Sequence, residues 1–104
     1  MTSHKVIWSD KSLNDLELAY DFLAEKSQIA ANQMIDEVFE RVTQLEHYPL
    51  SGPVESLLSH LKKEYRYLVS GHFKIIYRIE PGSVFIVRFF DTRQDPDNMQ
   101  KRKY

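Results

Sequence analysis

An acid, a hydroxyl and a base stand together where the last apolar stretch of the chain ends. The stretch "RFFDTRQDP" covers residues 88–96, and Asp91, Thr92 and Arg93 are its first polar triplet. On an extended strand Asp91 and Arg93 share one face, so they can form an ion pair. The same groups could instead hold developing charge on a phosphate or bind a partner. The residues leave open a catalytic strand end, a recognition edge and a structural ion pair that ties down the tail.

Aromatic and basic side chains are mixed in the preceding stretches. Tyr65, Tyr67 and Tyr77 stand close in sequence to Arg66 and Arg78. This mixture is typical of surfaces on which RNA bases stack. A half-exposed β-sheet contains the same mixture, and that structural interpretation is the commoner one.

The histidines do not suggest a metal site or a catalytic base. No two of them have the spacing of metal ligands: His4, His47, His60 and His72. The chain contains no cysteine, which excludes disulfides and thiolate catalysis. We therefore predict no metal ion and no cofactor.

Length and composition favour one compact globular domain over residues 1–104. The chain is 42% hydrophobic and 28% charged, with a net charge of −1. Residues 1–61 carry 4 Lys/Arg against 10 Asp/Glu, whereas residues 62–104 carry 10 against 5. One basic face could therefore meet an anionic partner, although a polarised solvated surface is the simpler interpretation. The N-terminus has no long apolar run, so we expect no signal peptide, no membrane partner and a cytoplasmic protein.

The first half predicts a strand and two helices. "KVIWS" (5–9) is typical of a short strand, and Ser9 and Asp10 offer N-cap oxygens for a helix. Apolar residues at spacings of three and four mark that first helix: Leu13, Leu16, Tyr20 and Leu23. The pattern breaks at Ser27 and resumes in a second helix: Ala31, Met34, Ile35, Val38, Val42 and Leu45. The second helix should end before "HYPLSGP" (47–53), and the two helices should form an antiparallel hairpin.

The second half changes to the pattern of strands. Residues 64–71, 72–80 and 83–93 are rich in aromatic and β-branched side chains, with turn signals between them. In the middle strand, alternation places one set of side chains on one face of the sheet, Phe73, Ile75, Tyr77 and Ile79, and the other set on the opposite face, Lys74, Ile76 and Arg78. In the last strand it separates Phe85, Val87, Phe89, Asp91 and Arg93 from Val84, Ile86, Arg88, Phe90 and Thr92.

These elements predict an α+β fold of order β-α-α-β-β-β. The helical hairpin covers one face of a small, mostly antiparallel four-stranded sheet, and the other face is partly exposed. Asp95 and Pro96 are interpreted as a strand end. Residues 97–104 lack a periodic apolar pattern, which predicts a mobile tail.

This element order resembles the RelE/ParE toxin superfamily of type II toxin–antitoxin systems. The resemblance rests on "LEHYPLSGP" after the second helix and on "YRYLVSGHFKIIYRIEPGSVFIVRFFDTRQDP" (65–96). It implies a toxin that a cognate antitoxin neutralises by wrapping a flexible segment around it, with a possible hetero-oligomer. Members of the superfamily either cleave mRNA in the ribosome, as RelE-like toxins do, or inhibit DNA gyrase, as ParE-like toxins do.

The resemblance also implies residues for a RelE-like nuclease. Lys74 stands where the family has an arginine, Arg66 lies near a family lysine, and Arg93 matches an arginine at the end of the last strand. The family tyrosine falls near Met99, which cannot transfer a proton, so Tyr104 would have to replace it. The catalytic residues of this alternative are Arg66, Lys74, Arg93 and Tyr104.

The missing tyrosine and the near-neutral charge favour the ParE-like activity, which is inhibition of gyrase by protein–protein binding without chemistry. A ribosome-dependent mRNA endoribonuclease is the first alternative. It is less favoured, because binding to ribosomal RNA would require a more cationic surface. An inert member that acts through antitoxin binding and operon repression is the second. The side chains predicted to bind a target or antitoxin are Arg66, Lys74, Arg78, Arg88, Asp91 and Arg93.

Overall fold

Two long helices and a four-stranded sheet make up most of the chain. The computed structural model describes residues 3–93 and 96–104. The helices are α1 (Asp10–Lys26), α2 (Gln28–Thr43) and α3 (Pro96–Lys101). The strands are β1 (Lys5–Trp8), β2 (Arg66–Ser70), β3 (Phe73–Glu80) and β4 (Ser83–Asp91). The strand end that was predicted at Asp95 lies outside the described residues.

One serine ends the first long helix and begins the second. The Ser27 N–H donates to the Leu23 carbonyl (2.8 Å), and the Ser27 hydroxyl oxygen accepts from the Ala30 N–H (3.1 Å). Ser9 caps the start of α1 in the same way, by accepting from the Ser12 N–H at 3.0 Å. The predicted break at Ser27 is therefore confirmed, and the joint is short enough to fold α2 back along α1.

The sheet has the strand order β1-β4-β3-β2. β1 runs parallel to β4, and the other two pairs are antiparallel. The helical hairpin packs on one face, where α1 contacts β4 and α2 contacts β2. The main buried cluster lies between these layers, with Leu16, Met34, Val38, Val42 and Leu45 from the helices and Leu68, Phe73, Ile75, Tyr77, Val84, Ile86 and Phe89 from the sheet. The predicted α+β fold is confirmed, including its mostly antiparallel sheet.

A β-bulge in β4 changes which of its side chains share a face. Ile76 pairs with Arg88 while its neighbour Tyr77 pairs with Ile86, so Val87 has no partner of its own on β3. The side chains of β4 divide accordingly between the two faces. Val84, Ile86 and Phe89 join the cluster under the helices, whereas Phe85, Val87 and Phe90 lie on the opposite face.

The bulge overturns the predicted alternation of the last strand. The prediction that one face carries Phe85, Val87, Phe89, Asp91 and Arg93 is wrong, because strict alternation stops at the bulge. β3 has no extra residue, and its side chains follow the predicted alternation.

The second face of the sheet is partly exposed, as predicted: Val69, opposite Lys74 on this face, is 43% exposed. A second buried cluster forms there from Leu58, Tyr65, Ile76, Val87, Phe90 and Met99. Its cover comes from the loop before β2 and from α3. These segments are too short to show an apolar period, so their packing left no pattern in the sequence.

The C-terminal residues differ from the predicted mobile tail. Met99 of α3 is 1% exposed, and the rings of Tyr104 and Tyr65 lie 5.4 Å apart. The Arg102 guanidinium lies 4.9 Å from the centre of the Phe90 ring. These contacts anchor the end of the chain to the second face. Among the described residues, no helix has both the length and the apolar character to cross a membrane.

The carboxylate of Asp15 joins α1, β4 and the segment that follows α3. Arg88 donates to both of its oxygens at 2.7 Å, and the backbone N–H of Phe89 donates to one of them at 3.0 Å. Arg102 lies 3.4 Å from the same carboxylate. The Asp15 side chain is only 8% exposed, so these donors replace the water that it loses. The bulge receives a second contact, because the Ser9 hydroxyl donates to the Val87 carbonyl at 3.1 Å.

We expect Asp15→Asn to destabilise the protein by roughly 3 kcal/mol, because it leaves two partly buried arginines without their carboxylate. Urea denaturation followed by circular dichroism measures the change. Asp21→Asn, an exposed site on the same helix, is the matched control and should change stability by less than about 0.5 kcal/mol. Equal midpoints for the two variants would show that Asp15 does not hold the strand.

Candidate functional site

A groove of about 350 Å³ opens beside Arg93, between α1 and the ends of β3 and β4. Its walls combine apolar residues (Leu18, Ala19, Phe22, Leu23, Phe73 and Phe89) with charged ones (Asp15, Asp91, Arg93 and Arg102). Leu18 is 61% exposed and Phe22 is 55% exposed, so one wall is apolar and open to solvent. Apolar anchors with a few charged groups at the margin are typical of protein-binding surfaces.

Arg93 and Asp91 form the ion pair that their spacing allows. The guanidinium donates to the two carboxylate oxygens at 2.9 and 3.1 Å, and the Arg93 backbone N–H donates at 2.9 Å. The hydrogen bond from Arg93 is the main reason that the pKa of Asp91 is lowered, and the same bond raises the pKa of Arg93. The Arg93 side chain stays 58% exposed, so it remains accessible to a partner.

The pair does not itself hold the end of the sheet. Its two partners are two residues apart, so the pair shapes only the turn after β4. Thr92 makes the long-range contact, because its N–H and its hydroxyl both donate to the His72 carbonyl at 2.7 Å. The end of β4 is thus fixed to the β2–β3 turn by Thr92, and Arg93 projects from a fixed backbone.

Lys74 is committed to an internal ion pair. Its ammonium lies 2.6 Å from the Glu55 carboxylate and 4.2 Å from the centre of the Tyr67 ring. Glu55 is 3% exposed and also accepts from the Leu57 N–H at 3.2 Å. Lys74 therefore attaches the loop before β2 to the second face, and this contact explains the residue without a catalytic role.

Arg66 lies away from both Lys74 and Arg93. It donates to the Gly52 carbonyl at 2.8 Å and pairs with Glu64 at 3.1 Å, while its Nε is buried and has no hydrogen-bond partner among the described residues. Arg66 is opposite Tyr77 on the helix-covered face, whereas Lys74 contacts the second face. Arg66 also begins β2, and the Arg93 turn lies beyond the other end of that strand.

Tyr104 is held as part of the core of the second face. Its hydroxyl donates to the Met99 carbonyl at 2.7 Å, and burial is the main cause that raises its pKa to about 12. Met99, at the position of the family tyrosine, is itself buried. The structure therefore does not bring the four residues of the nuclease alternative together in one site.

The remaining predicted binding residues, Arg78 and Arg88, do not line the groove. Arg78 pairs with Glu80 and lies 4.6 Å from the centre of the Phe85 ring, on the second face. Arg88 is turned towards Asp15. Of the six predicted binding residues, Asp91 and Arg93 line the groove. Sequence reasoning missed its apolar wall, although Leu18 and Phe22 lie four residues apart and outside the apolar stripe of their helix, a pattern that indicates a second apolar face.

Within the part of the chain that the structure describes, no cluster of three His, Asp or Glu side chains could hold a metal ion. The groove contains two acids, but Arg93 binds one and Arg88 binds the other. Both carboxylates of the groove are therefore already paired.

Helices packed on a four-stranded mixed sheet are the α+β architecture of RelE/ParE-like toxins. The chain matches the family model of the ParE toxin of the parDE type II toxin–antitoxin system over residues 6–96. It therefore belongs to the ParE toxin family, and its partner is a cognate antitoxin.

One solved structure similar to this chain comes from the chromosomal ParDE toxin–antitoxin system of P. aeruginosa. The two chains are 20% identical with a TM-score of 0.69, and the match covers 86% of this chain and 96% of that one. At this identity the likeness concerns the fold. The comparison with curated proteins found no match.

We expect Arg93→Ala to fold with an unchanged urea midpoint, because among the described residues the hydrogen bonds and the ion pair of Arg93 are with Asp91, two residues away. The pKa of Asp91 should rise towards its ordinary value, which an NMR titration of its carboxyl carbon measures. Because the folded-state pKa is lowered, any stability that the pair contributes is present above the unfolded-state pKa and disappears as pH falls through the folded-state value. A clear drop in the urea midpoint at neutral pH would assign Arg93 a structural role instead.

Proposed function

We propose that this ParE-family toxin inhibits DNA gyrase by protein–protein binding and carries out no chemistry of its own, and that it acts in the cytoplasm. The observation that carries the proposal is the separation of the nuclease residues. Arg66 and Lys74 lie on opposite faces, Tyr104 is partly buried on the second face, and Arg93 lies beyond the far end of β2. General acid–base catalysis needs such groups within hydrogen-bonding reach of one substrate.

The protonation states support the same proposal. A general acid works best with a pKa near the operating pH, and the pKa of Tyr104 is raised to about 12. Its hydroxyl is also already used by the Met99 carbonyl. Lys74, held against Glu55, would have to leave a nearly buried carboxylate before it could bind a phosphate.

We propose that the antitoxin binds in the groove beside Arg93. An amphipathic segment fits this groove. Its apolar side chains can pack against the apolar wall of α1, and the exposed Arg93 guanidinium can donate hydrogen bonds to one of its carboxylates. Addition of a strand at the β2 edge is less favourable. The Glu55 N–H donates to the Tyr65 carbonyl at 2.8 Å and the Tyr67 N–H donates to the Pro53 carbonyl at 3.0 Å, so the start of that edge is already paired.

The rest of the β2 edge is also partly occupied. Arg41 of α2 donates from its Nε to the Val69 carbonyl at 3.0 Å. An added strand would have to displace this side chain before it could pair along the edge. Helix-in-groove binding needs no such displacement.

The target is tested with purified toxin in two assays, gyrase supercoiling and ribosomal translation with mapping of mRNA ends. We expect supercoiling to be inhibited while the mRNA stays intact. Codon-dependent cleavage in the ribosome would establish the nuclease alternative and refute the proposal. Inactivity in both assays together with tight antitoxin binding would favour the inert alternative.

We expect Phe22→Ser to weaken antitoxin binding at least about tenfold, since it removes an exposed aromatic anchor from the groove. Isothermal titration with the purified cognate antitoxin measures this. Ile29→Ser is the matched control, because Ile29 is 72% exposed but does not line the groove. The groove assignment fails if both variants bind as tightly as the unmodified toxin.

A further inference from the structure

The loop between α2 and β2 exposes apolar side chains although its backbone is firmly held. Tyr48 is 69% exposed, Leu50 is 67% exposed and Val54 is 46% exposed. These three side chains are exposed to solvent and belong to neither buried cluster. Neither the groove nor the contacts of the proposed nuclease residues account for them.

A fully buried tyrosine fixes this loop. The Tyr77 hydroxyl donates to the Pro49 carbonyl at 2.7 Å and accepts from the Gly52 N–H at 3.0 Å. A Cβ at Gly52 would lie 2.2 Å from the Tyr67 carbonyl oxygen, so glycine is required for this close approach. Further along, Gln44 donates to the Ser51 hydroxyl at 2.9 Å.

Preorganised apolar side chains favour binding, because little conformational entropy is lost when a partner covers them. Aromatic and aliphatic anchors on a rigid backbone are also where interface energy concentrates. The exposed side chains of Tyr48, Leu50 and Val54, which we call the loop patch, meet both conditions.

A basic cluster adjoins the loop patch. Arg66 donates to the Gly52 carbonyl at 2.8 Å and its backbone bridges to Val54, so the two surfaces are continuous. Arg66, Lys63 and Arg78 line a cavity of about 370 Å³ together with Glu64, Ile79 and Glu80. Three cations against two carboxylates give this cavity a net positive charge.

The carboxylates of the cluster are not buried partners. Glu64 is 61% exposed and Glu80 is 36% exposed, so their pairs with the cations are weak and open to exchange. The buried Nε of Arg66 has no hydrogen-bond partner among the described residues. A carboxylate that reoriented this guanidinium could satisfy the missing bond and form a two-point contact.

We propose that the loop patch and the cluster of Lys63, Arg66 and Arg78 form the surface that binds an acidic region of DNA gyrase. The partner chemistry follows from the surface: apolar side chains to cover Tyr48 and Leu50, flanked by carboxylates that meet the cations. This inference rests on the proposed function, since it names the toxin's contact surface for that target. The surface adjoins the start of β2, whereas the groove lies beyond that strand's other end.

Binding of purified gyrase holoenzyme to immobilised full-length toxin tests the inference. The double variant Tyr48→Ser/Leu50→Ser should bind at least about tenfold more weakly, because it removes both exposed anchors. Lys63→Glu should also bind more weakly, and its affinity should depend less steeply on salt. Circular dichroism and urea midpoints check that the variants fold.

Matched controls separate the surface from general effects of charge or polarity. Ile29→Ser makes a similar apolar-to-polar change outside the loop patch, and Lys5→Glu makes the same charge reversal on β1, at the opposite edge of the sheet. Both should bind gyrase within about twofold of the unmodified toxin, a change of the size expected outside hot spots.

The outcomes distinguish this inference from the proposed function. If the unmodified toxin binds gyrase, and Tyr48→Ser/Leu50→Ser and Lys63→Glu bind it equally tightly, the inference is overturned. The proposed function would then still stand. Loss of gyrase binding on Phe22→Ser alone would also overturn it, because the target would then occupy the groove. An unmodified toxin that does not bind gyrase refutes both.

Discussion

The contact between the Asp15 carboxylate and the bulge of β4 sets the geometry of the whole molecule. Val87 lies on the second face with Phe85, and the bulge switches the faces of the residues after it, so that Phe89 lies under the helices and Phe90 on the second face. Two cores thereby form on one small sheet, and each needs β4 in this register. Because the partners of Asp15 are two consecutive residues of β4 and Arg102 just after α3, the same carboxylate aligns the strand with α1 and attaches the end of the chain. Asp15 and Arg102 also line the groove beside Arg93, so its shape depends on both attachments.

The two proposed binding surfaces differ in how they are built. The groove lies between elements, so its shape depends on tertiary contacts such as those of Asp15. The loop patch lies on a single segment whose backbone is fixed by Tyr77 and Gly52. The three exposed side chains of the loop patch can therefore vary without disturbing either core. This arrangement is one physical route by which members of one toxin fold could differ in target.

Local chemistry explains which features could be predicted from the sequence. The serine caps, the helical stripes and the alternation of β3 depend on neighbours within four residues, and the Asp91–Arg93 pair joins residues two apart. The bulge could not be predicted, since one extra residue leaves no mark in an apolar strand. Nor could the contact of Arg88 with Asp15 or of Lys74 with Glu55, because each partner is brought close only by the folded chain. Arginines and a lysine that looked available in the sequence proved to be occupied for this reason.

The joint between α1 and α2 has a consequence for how this family can vary in length. Ser27 alone both closes one helix and opens the next, so the two helices share a fixed rotational phase. Each residue of an α-helix turns by about 100°, and one residue gained or lost at the joint would rotate the apolar stripe of α2 by that amount relative to the sheet. We therefore expect single-residue insertions to be disfavoured at this joint, and changes in length between members of the fold to occur in the loops instead.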